Sequence, residues 1–136
     1  MFKRIAHVCL DVKDLQRSID YYSKLGFKTK FQFTRKGQDF GVYLEIAENN
    51  YIEIFENKDL GPVINNGLKH FCLEADDLDL VMKNLTAQGV DFTEKKLGCD
   101  NTWQIWLKDP DGNAFEVHQY TATSAQQKGQ VVEADW

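Results

Sequence analysis

The sequence predicts an α+β fold built from two tandem strand–helix–strand–strand–strand modules. A gapless internal repeat runs through the chain at an offset of 63 residues, the spacing from His7 to His70. Each copy opens with an alternating strand pattern that passes into a helical one. Each closes with two strands joined by a turn rich in asparagine or glycine.

The repeat is clearest where HVCLDVKDL, from His7 to Leu15, aligns with HFCLEADDL, from His70 to Leu78, with five of nine positions identical. The same offset pairs Gly26 with Gly89, Tyr43-Leu44 with Trp106-Leu107, and Ile52-Glu53-Ile54 with Phe115-Glu116-Val117. Agreement across four separated segments makes chance a poor explanation.

Taken in order, residues 4–12 alternate as a strand does, with Ile5, His7, Cys9 and Asp11 on one face and Ala6, Val8, Leu10 and Val12 on the other. Asp14 suits a helix N-cap, because its carboxylate accepts a free backbone N–H. Leu15, Ile19 and Tyr22 follow at helical spacing, and Gly26 suits the left-handed residue beyond the helix end. Strands are expected at 28–34, 40–47 and 50–56, the last two joined by Glu48-Asn49-Asn50. The second copy repeats the plan: strand 69–75, cap Asp77, apolar Leu78, Met82 and Leu85, Gly89, then strands 91–96, 103–108 and 113–119. Its last turn contains Pro110-Asp111-Gly112-Asn113. The modules are therefore 1–57 and 68–120, with 58–67 as linker and 121–136 as a polar tail whose terminal Trp136 is expected to pack on something.

Composition narrows the class. With 136 residues, 43% hydrophobic and 27% charged, the chain suits one compact globular domain or two very small ones, and is expected to form one domain overall. No apolar run approaches the roughly 20 residues of a membrane span, and MFKRIAHVCL lacks the apolar stretch and small-residue cleavage site expected of a signal peptide. A cytoplasmic location is expected, with no membrane partner. A net charge of −5 without a basic tract speaks against nucleic-acid binding. Cys9, Cys72 and Cys99 are odd in number and form no CxxC, which argues against a disulfide scaffold or a thiolate zinc site.

The ligand-capable residues sit at equivalent places in the two copies: His7 with His70, and Glu53 with Glu116. Alternation sends each opposite the apolar residues that cover the helix, so all four face the helix-free side of a sheet. Buried carboxylates there need a partner, and one divalent cation serves both. Two nitrogens and two oxygens suit Ni, Co, Zn, Mn or Fe. Four protein ligands leave coordination positions open, as a catalytic metal requires. Glu45, Glu48 and Glu56 are rival carboxylates; Glu45 is the strongest, although its repeat partner is Lys108. Cys9 and Cys72 lie beside the histidines as wall residues, with ligation as the alternative. His118 shares parity with Glu116 and should face the cavity, and Trp103 and Trp106 differ in parity, so at most one of them does.

The segments HVCLDVKDLQRSIDYYSKLGF, YIEIFEN, GLKHFCLEADDLD and WLKDPDGNAFEVH resemble the vicinal oxygen chelate superfamily, which holds glyoxalase I, bleomycin-resistance proteins and ring-cleaving dioxygenases. The likeness spans about residues 5–119. The complete set His7, Glu53, His70 and Glu116 looks most like bacterial glyoxalase I. The resemblance implies open curved sheets that pair into an eight-stranded, barrel-like metal site, in a homodimer. It implies one divalent ion, with Ni or Co favoured, and a small-molecule substrate such as a glutathione hemithioacetal. Glu116 would act as principal base and Glu53 as its counterpart. Asn57 matches a glutathione-contacting position, and Phe55, Trp103, Gln104 and His118 are candidate substrate contacts. One departure stands out: Asp11 occupies the place where glyoxalase I typically has an arginine for glutathione, with Arg35 and Lys36 as loop substitutes. The alternatives are an epimerase of the same fold, on an acyl-CoA or a cyclitol, and a non-catalytic small-molecule-binding protein.

Overall fold

The repeat folds twice into one topology. The computed structural model describes residues 3–62, 67–129 and 131–134; Asn65-Asn66 of the expected linker and Trp136 lie outside the described residues. The chain divides into two compact units, Met1–Asn65 with Asp109–Asn113, and Asn66–Lys108 with Ala114–Trp136. The first contains β1 (His7–Val12), α1 (Leu15–Lys24), β2 (Lys28–Arg35), β3 (Gln38–Ala47) and β4 (Asn50–Glu56). The second contains β5 (Phe71–Glu74), α2 (Leu78–Ala87), β6 (Lys96–Leu97), β7 (Trp103–Lys108), β8 (Ala114–Gln119) and a short α3 (Ala125–Lys128).

Each unit has a four-stranded mixed sheet, in the orders β1-β4-β3-β2 and β5-β8-β7-β6. The first strand of each unit runs parallel to the last, and the other pairings are antiparallel. This is the expected α+β fold with open sheets. Among the described residues no helix is long and apolar enough to cross a membrane.

The helices start where the sequence says they should. The Asp14 carboxylate accepts from the Arg17 N–H at 2.9 Å, and that of Asp77 from the Leu80 N–H at 2.9 Å. A second pair of caps crosses from the sheet. Glu56 Oε1 accepts from the Leu15 N–H at 3.4 Å, and Gln119 Oε1 from the Leu78 N–H at 2.9 Å. Glu56 and Gln119 stand at equivalent repeat positions, so the duplication preserves this cap even though charge does not. Asn49 and Gly112 take positive φ in the two turns between the final strands, as their residue types permit.

The apolar face of each sheet lies under its helix. Val12, Tyr22, Val42, Leu44, Ile52 and Ile54 are sealed in the first unit; Leu78, Ile105, Leu107 and Phe115 are sealed in the second. Burial of each such side chain is worth roughly 1.5–3 kcal/mol. The opposite faces therefore carry the residues of the other parity, among them His7, Glu53 and Glu116, while His70 immediately precedes β5.

Three strands are clearly shorter than expected, while β2, β3 and β8 differ by only one or two residues at an end. The strand expected at 4–12 begins only at His7, because its first bonded partner is Tyr51 and β4 itself begins at Asn50. The strand expected at 69–75 is shortened to Phe71–Glu74 in the same way, with Phe71 opposite Phe115. The strand expected at 91–96 is reduced to Lys96–Leu97. Upstream of it the Thr93 N–H donates to the Trp106 carbonyl, but the returning Trp106 N–H is taken by Thr93 Oγ1 instead of a backbone oxygen. The side chain thus replaces a ladder bond and ends the pairing. In the tail, Thr121–Gly129 is tied to the Asp100–Thr102 loop: Gln126 Nε2 donates to Asp100 Oδ2 at 2.6 Å, and Ser124 Oγ to the Asn101 carbonyl at 2.9 Å.

Gly41 on β3 lies opposite Phe55 and has no room for a side chain. An added Cβ would overlap the Phe55 ring and stand 2.7 Å from the Ile54 carbonyl oxygen, which is backbone and cannot swing away. Gly41→Ala is expected to cost about 1–3 kcal/mol as overpacking, read as a lower urea midpoint with an unchanged slope.

Candidate metal centre

In the first unit, His7 stands at the start of β1 and Glu53 at the middle of β4, both on the helix-free face. His7 Nε2 is 3.7 Å from Glu53 Oε2. The other ring nitrogen, Nδ1, is 3.1 Å from the Tyr43 hydroxyl, and the two rings meet edge to face at 5.6 Å. Tyr43 lies directly opposite Glu53 on β3. It therefore orients the imidazole while leaving Nε2 for a ligand. If Nδ1–H donates to the Tyr43 oxygen, the Nε2 lone pair faces the carboxylate side.

The second unit repeats the pair. His70 Nε2 lies 3.3 Å from Glu116 Oε2. Trp106, the repeat partner of Tyr43, faces Glu116 across β7 and β8, and its ring contacts His70 edge-on at 4.7 Å. The Glu116 side chain keeps 11% of its exposure, whereas the Glu53 side chain keeps 19%. A second imidazole joins here, with His118 Nε2 3.1 Å from the same Glu116 Oε2. Neither His–Glu pair of equivalent residues is made as a hydrogen bond. Ligands about 2.0–2.2 Å from a shared ion stand roughly 3–3.5 Å from one another. The donor types in both units suit a divalent cation; the 3.3 Å separation of the second falls in that range, and the 3.7 Å of the first lies just outside it.

A cysteine accompanies each carboxylate, Cys9 across from Glu53 and Cys72 across from Glu116 in the parallel registers. Both residues are exposed as a whole, yet their sulfurs lose water against the sheet. That desolvation, ahead of the Glu53 hydrogen bond and charge, pushes the Cys9 thiol up to about 11. Desolvation, followed by the Glu116 charge, pushes the Cys72 thiol up to about 12. Both are neutral thiols at physiological pH.

The other sequence candidates fall as follows. Gln104 and Trp106 share the face of His118 and Glu116, while Trp103 lies on the other, where it receives the Lys95 ammonium 5.1 Å from its ring centroid. Phe55 packs among Phe33 and Phe40 with ring centroids 5.0 and 5.2 Å away. Asn57 Nδ2 donates to Asp11 Oδ2 at 3.1 Å. The Arg35 guanidinium sits 3.5 Å over the Phe40 ring. Lys36 takes a positive φ in the tight β2–β3 turn. Of the rival carboxylates, Glu45 pairs with Lys30 at 3.2 Å, Glu56 caps α1 and pairs with Lys58 at 3.4 Å, and Glu48 accepts from Asn49. Sequence reasoning missed Tyr43 as a site residue. Its signal was present: Tyr43 is the repeat partner of Trp106, which reasoning did select.

Residues 4–117 match the family model of the Glyoxalase/Bleomycin resistance protein/Dioxygenase superfamily. The chain is similar to a lactoylglutathione lyase of Arabidopsis thaliana, 26% identical over 125 residues that cover 86% of this chain and 44% of that protein. It is also similar to a virulence protein of Salmonella typhimurium, 31% identical over 123 residues, 86% of this chain and 84% of the relative. It thus spans less than half the plant lyase and most of the bacterial protein. Among solved structures, a glyoxalase family protein from Enterococcus faecalis shares the fold with a TM-score of 0.76 at 23% identity, over 86% of this chain and 98% of that one.

Proposed function

The chain belongs to the glyoxalase/bleomycin resistance protein/dioxygenase superfamily, and we propose that it is a metal-dependent lyase or isomerase of the lactoylglutathione lyase type. On this reading His7, Glu53, His70 and Glu116 hold one divalent ion, with Ni or Co favoured, and the working form is a homodimer. The carrying observation is the repeated His–Glu pair, with Nε2 to Oε2 distances of 3.7 and 3.3 Å at equivalent positions of the two units.

When bound, such a cation supplies Lewis acidity, which steadies charge developing on adjacent oxygens of the substrate. The protein's own groups move the proton. Glu116, the more buried carboxylate, abstracts it from the carbon next to the carbonyl, and either glutamate returns it. His70 Nε2 and His118 Nε2 lie 3.3 and 3.1 Å from Glu116 Oε2. Trp106 against His70 and Tyr43 against His7 hold the imidazoles in place.

One observation favours a second reading. Asp11 and Asn57 are hydrogen-bonded to each other, so a negative charge occupies the place where a glutathione carboxylate would need a cation. An epimerase moving a proton on an acyl-CoA or a cyclitol would use the same carboxylates without that demand.

The test is a metal-loaded protein offered hemithioacetals, acyl-CoAs and cyclitols deuterated at the reacting carbon. Metal-dependent loss of deuterium from a hemithioacetal supports the lyase. Stoichiometric metal with exchange only from the other classes transfers the assignment to the epimerase. Metal binding without exchange from any of them sinks both. Tyr43→Phe is expected to lower metal affinity about 10- to 100-fold by removing the partner of His7 Nδ1, with the fold intact by circular dichroism.

A further inference from the structure

The two copies of the repeat are not equally equipped. At the position where the second unit has His118, the first has Phe55, which is committed to an aromatic cluster with Phe33 and Phe40. The second unit alone therefore adds an imidazole beside its cysteine and glutamate. Cys72 Sγ, a Glu116 carboxylate oxygen and a His118 ring nitrogen all lie within 4.8 Å of one another. Among the described residues this is the sole trio of His, Cys, Asp or Glu gathered so closely.

Two further observations bear on what this trio is for. His118 Nε2 is buried and makes no hydrogen bond, although Glu116 Oε2 is only 3.1 Å away. A buried polar nitrogen left in that state is costly, and a cation between it and the carboxylate would satisfy both. The scaffold is also stiff. Cys72 lies directly opposite Glu116 in the parallel β5–β8 register, and Glu74 opposite His118. The three donors thus project from two adjacent, hydrogen-bonded strands.

We propose that the second unit by itself binds a borderline-soft divalent cation such as Zn(II) through Cys72 Sγ, a Glu116 carboxylate oxygen and His118 Nε2. The site needs neither His7 nor Glu53. Thiolate, imidazole and carboxylate are each zinc donors, at about 2.3, 2.0–2.1 and 2.0–2.2 Å. The three ligand atoms, within 4.8 Å of one another, must close to ligand spacing as the ion binds. On binding, the Cys72 S–H bond breaks, the sulfur keeps the electron pair for the metal, and the proton leaves to solvent. Three protein donors leave a fourth tetrahedral position for water or an exogenous thiol. Glu116 is shared with the His70 pair, so this trio competes with the four-residue set for one carboxylate. The proposal does not rest on the lyase reading, since it concerns thiolate ligation and not turnover.

The experiment is an anaerobic Co(II) titration of the reduced full chain, followed by competition with Zn(II). A thiolate-to-cobalt charge-transfer band in the near ultraviolet is expected, and it should vanish on adding zinc. Cys72→Ser should abolish the band, and His118→Phe, which installs the residue of the first unit, should weaken Co(II) binding at least about tenfold. Cys9→Ser and the double variant His7→Ala, Glu53→Gln should both keep the band. Cobalt bound without a thiolate band, a band that survives Cys72→Ser, or a band lost in the double variant would each overturn the proposal. Deuterium exchange by the same double variant reads the lyase assignment separately, so the two ideas fail independently.

Discussion

Glu116→Gln is expected to leave the fold intact and to lower proton abstraction by roughly 10²- to 10⁴-fold, the usual contribution of a positioned general base. Glutamine keeps the shape of the side chain and one accepting oxygen, so packing at this nearly buried position changes little. What disappears is the negative charge that faces His70 Nε2 at 3.3 Å and His118 Nε2 at 3.1 Å. An amide cannot take a proton from carbon, and it binds a divalent cation weakly. Both kcat and metal affinity should therefore fall together. Deuterium loss from a labelled substrate, measured at saturating metal, isolates the proton-transfer part. The control is Glu53→Gln. Glu53 is more exposed and faces one imidazole at 3.7 Å, so the smaller loss is expected there. Exchange within a few-fold of wild type in Glu116→Gln, with metal bound, would remove Glu116 from the role of base.

The fold was legible because duplication supplies a check that a single copy lacks. A lone Asp14 before Leu15 is a modest helix-start signal; the same pattern at Asp77 and Leu78 turns it into a rule, and both caps form. Strand parity then placed His7 and Glu53 on the helix-free face of the first sheet and Glu116 on that of the second, since one apolar face per sheet must cover a helix. Boundaries were less legible because they depend on partners. Nothing local in residues 4–6 reveals that β4 starts too late to pair with them, and nothing in residues 91–95 shows that the Thr93 hydroxyl will replace a backbone acceptor. At the candidate site, residue types and faces were readable, but distances were not. Parity placed His118 beside Glu116; only the structure shows a buried, unbonded nitrogen 3.1 Å from the carboxylate. Likewise, Asn57 and Asp11 are 46 positions apart, and their hydrogen bond follows from β1 and β4 being parallel neighbours.

The largest stability effect is expected at Asp109. Its carboxylate is buried at 4% exposure and serves several donors at once. Oδ1 accepts from the Asp111 and Asn113 N–H groups, each at 2.9 Å, and Oδ2 accepts from Asn113 Nδ2 at 2.8 Å. Within the first unit, Oδ2 also receives the Tyr22 hydroxyl at 3.2 Å. Burial first, and then the Asp109 charge, raise the Tyr22 pKa well above the usual tyrosine range, so the phenol remains a donor at any ordinary pH. Asp109→Ala would strand two backbone N–H groups of the Asp109–Asn113 turn and remove the carboxylate that accepts from the buried Tyr22 hydroxyl. Hydrogen bonds to a charged group contribute about 1.5–3 kcal/mol each, and they are not additive in a network. A loss of about 3–5 kcal/mol is therefore expected, of the size seen when one partner of a buried charged network is removed. Tyr22→Phe should cost much less, about 1–2 kcal/mol, because the carboxylate keeps its other three donors. Urea midpoints for Asp109→Ala, Tyr22→Phe and the double variant form a cycle. The double variant should cost less than the sum of the two single ones, since Tyr22→Phe then removes a hydrogen bond that Asp109→Ala has already broken. Equal midpoints for Asp109→Ala and wild type would mean that the turn holds its shape from Gly112 and the backbone alone.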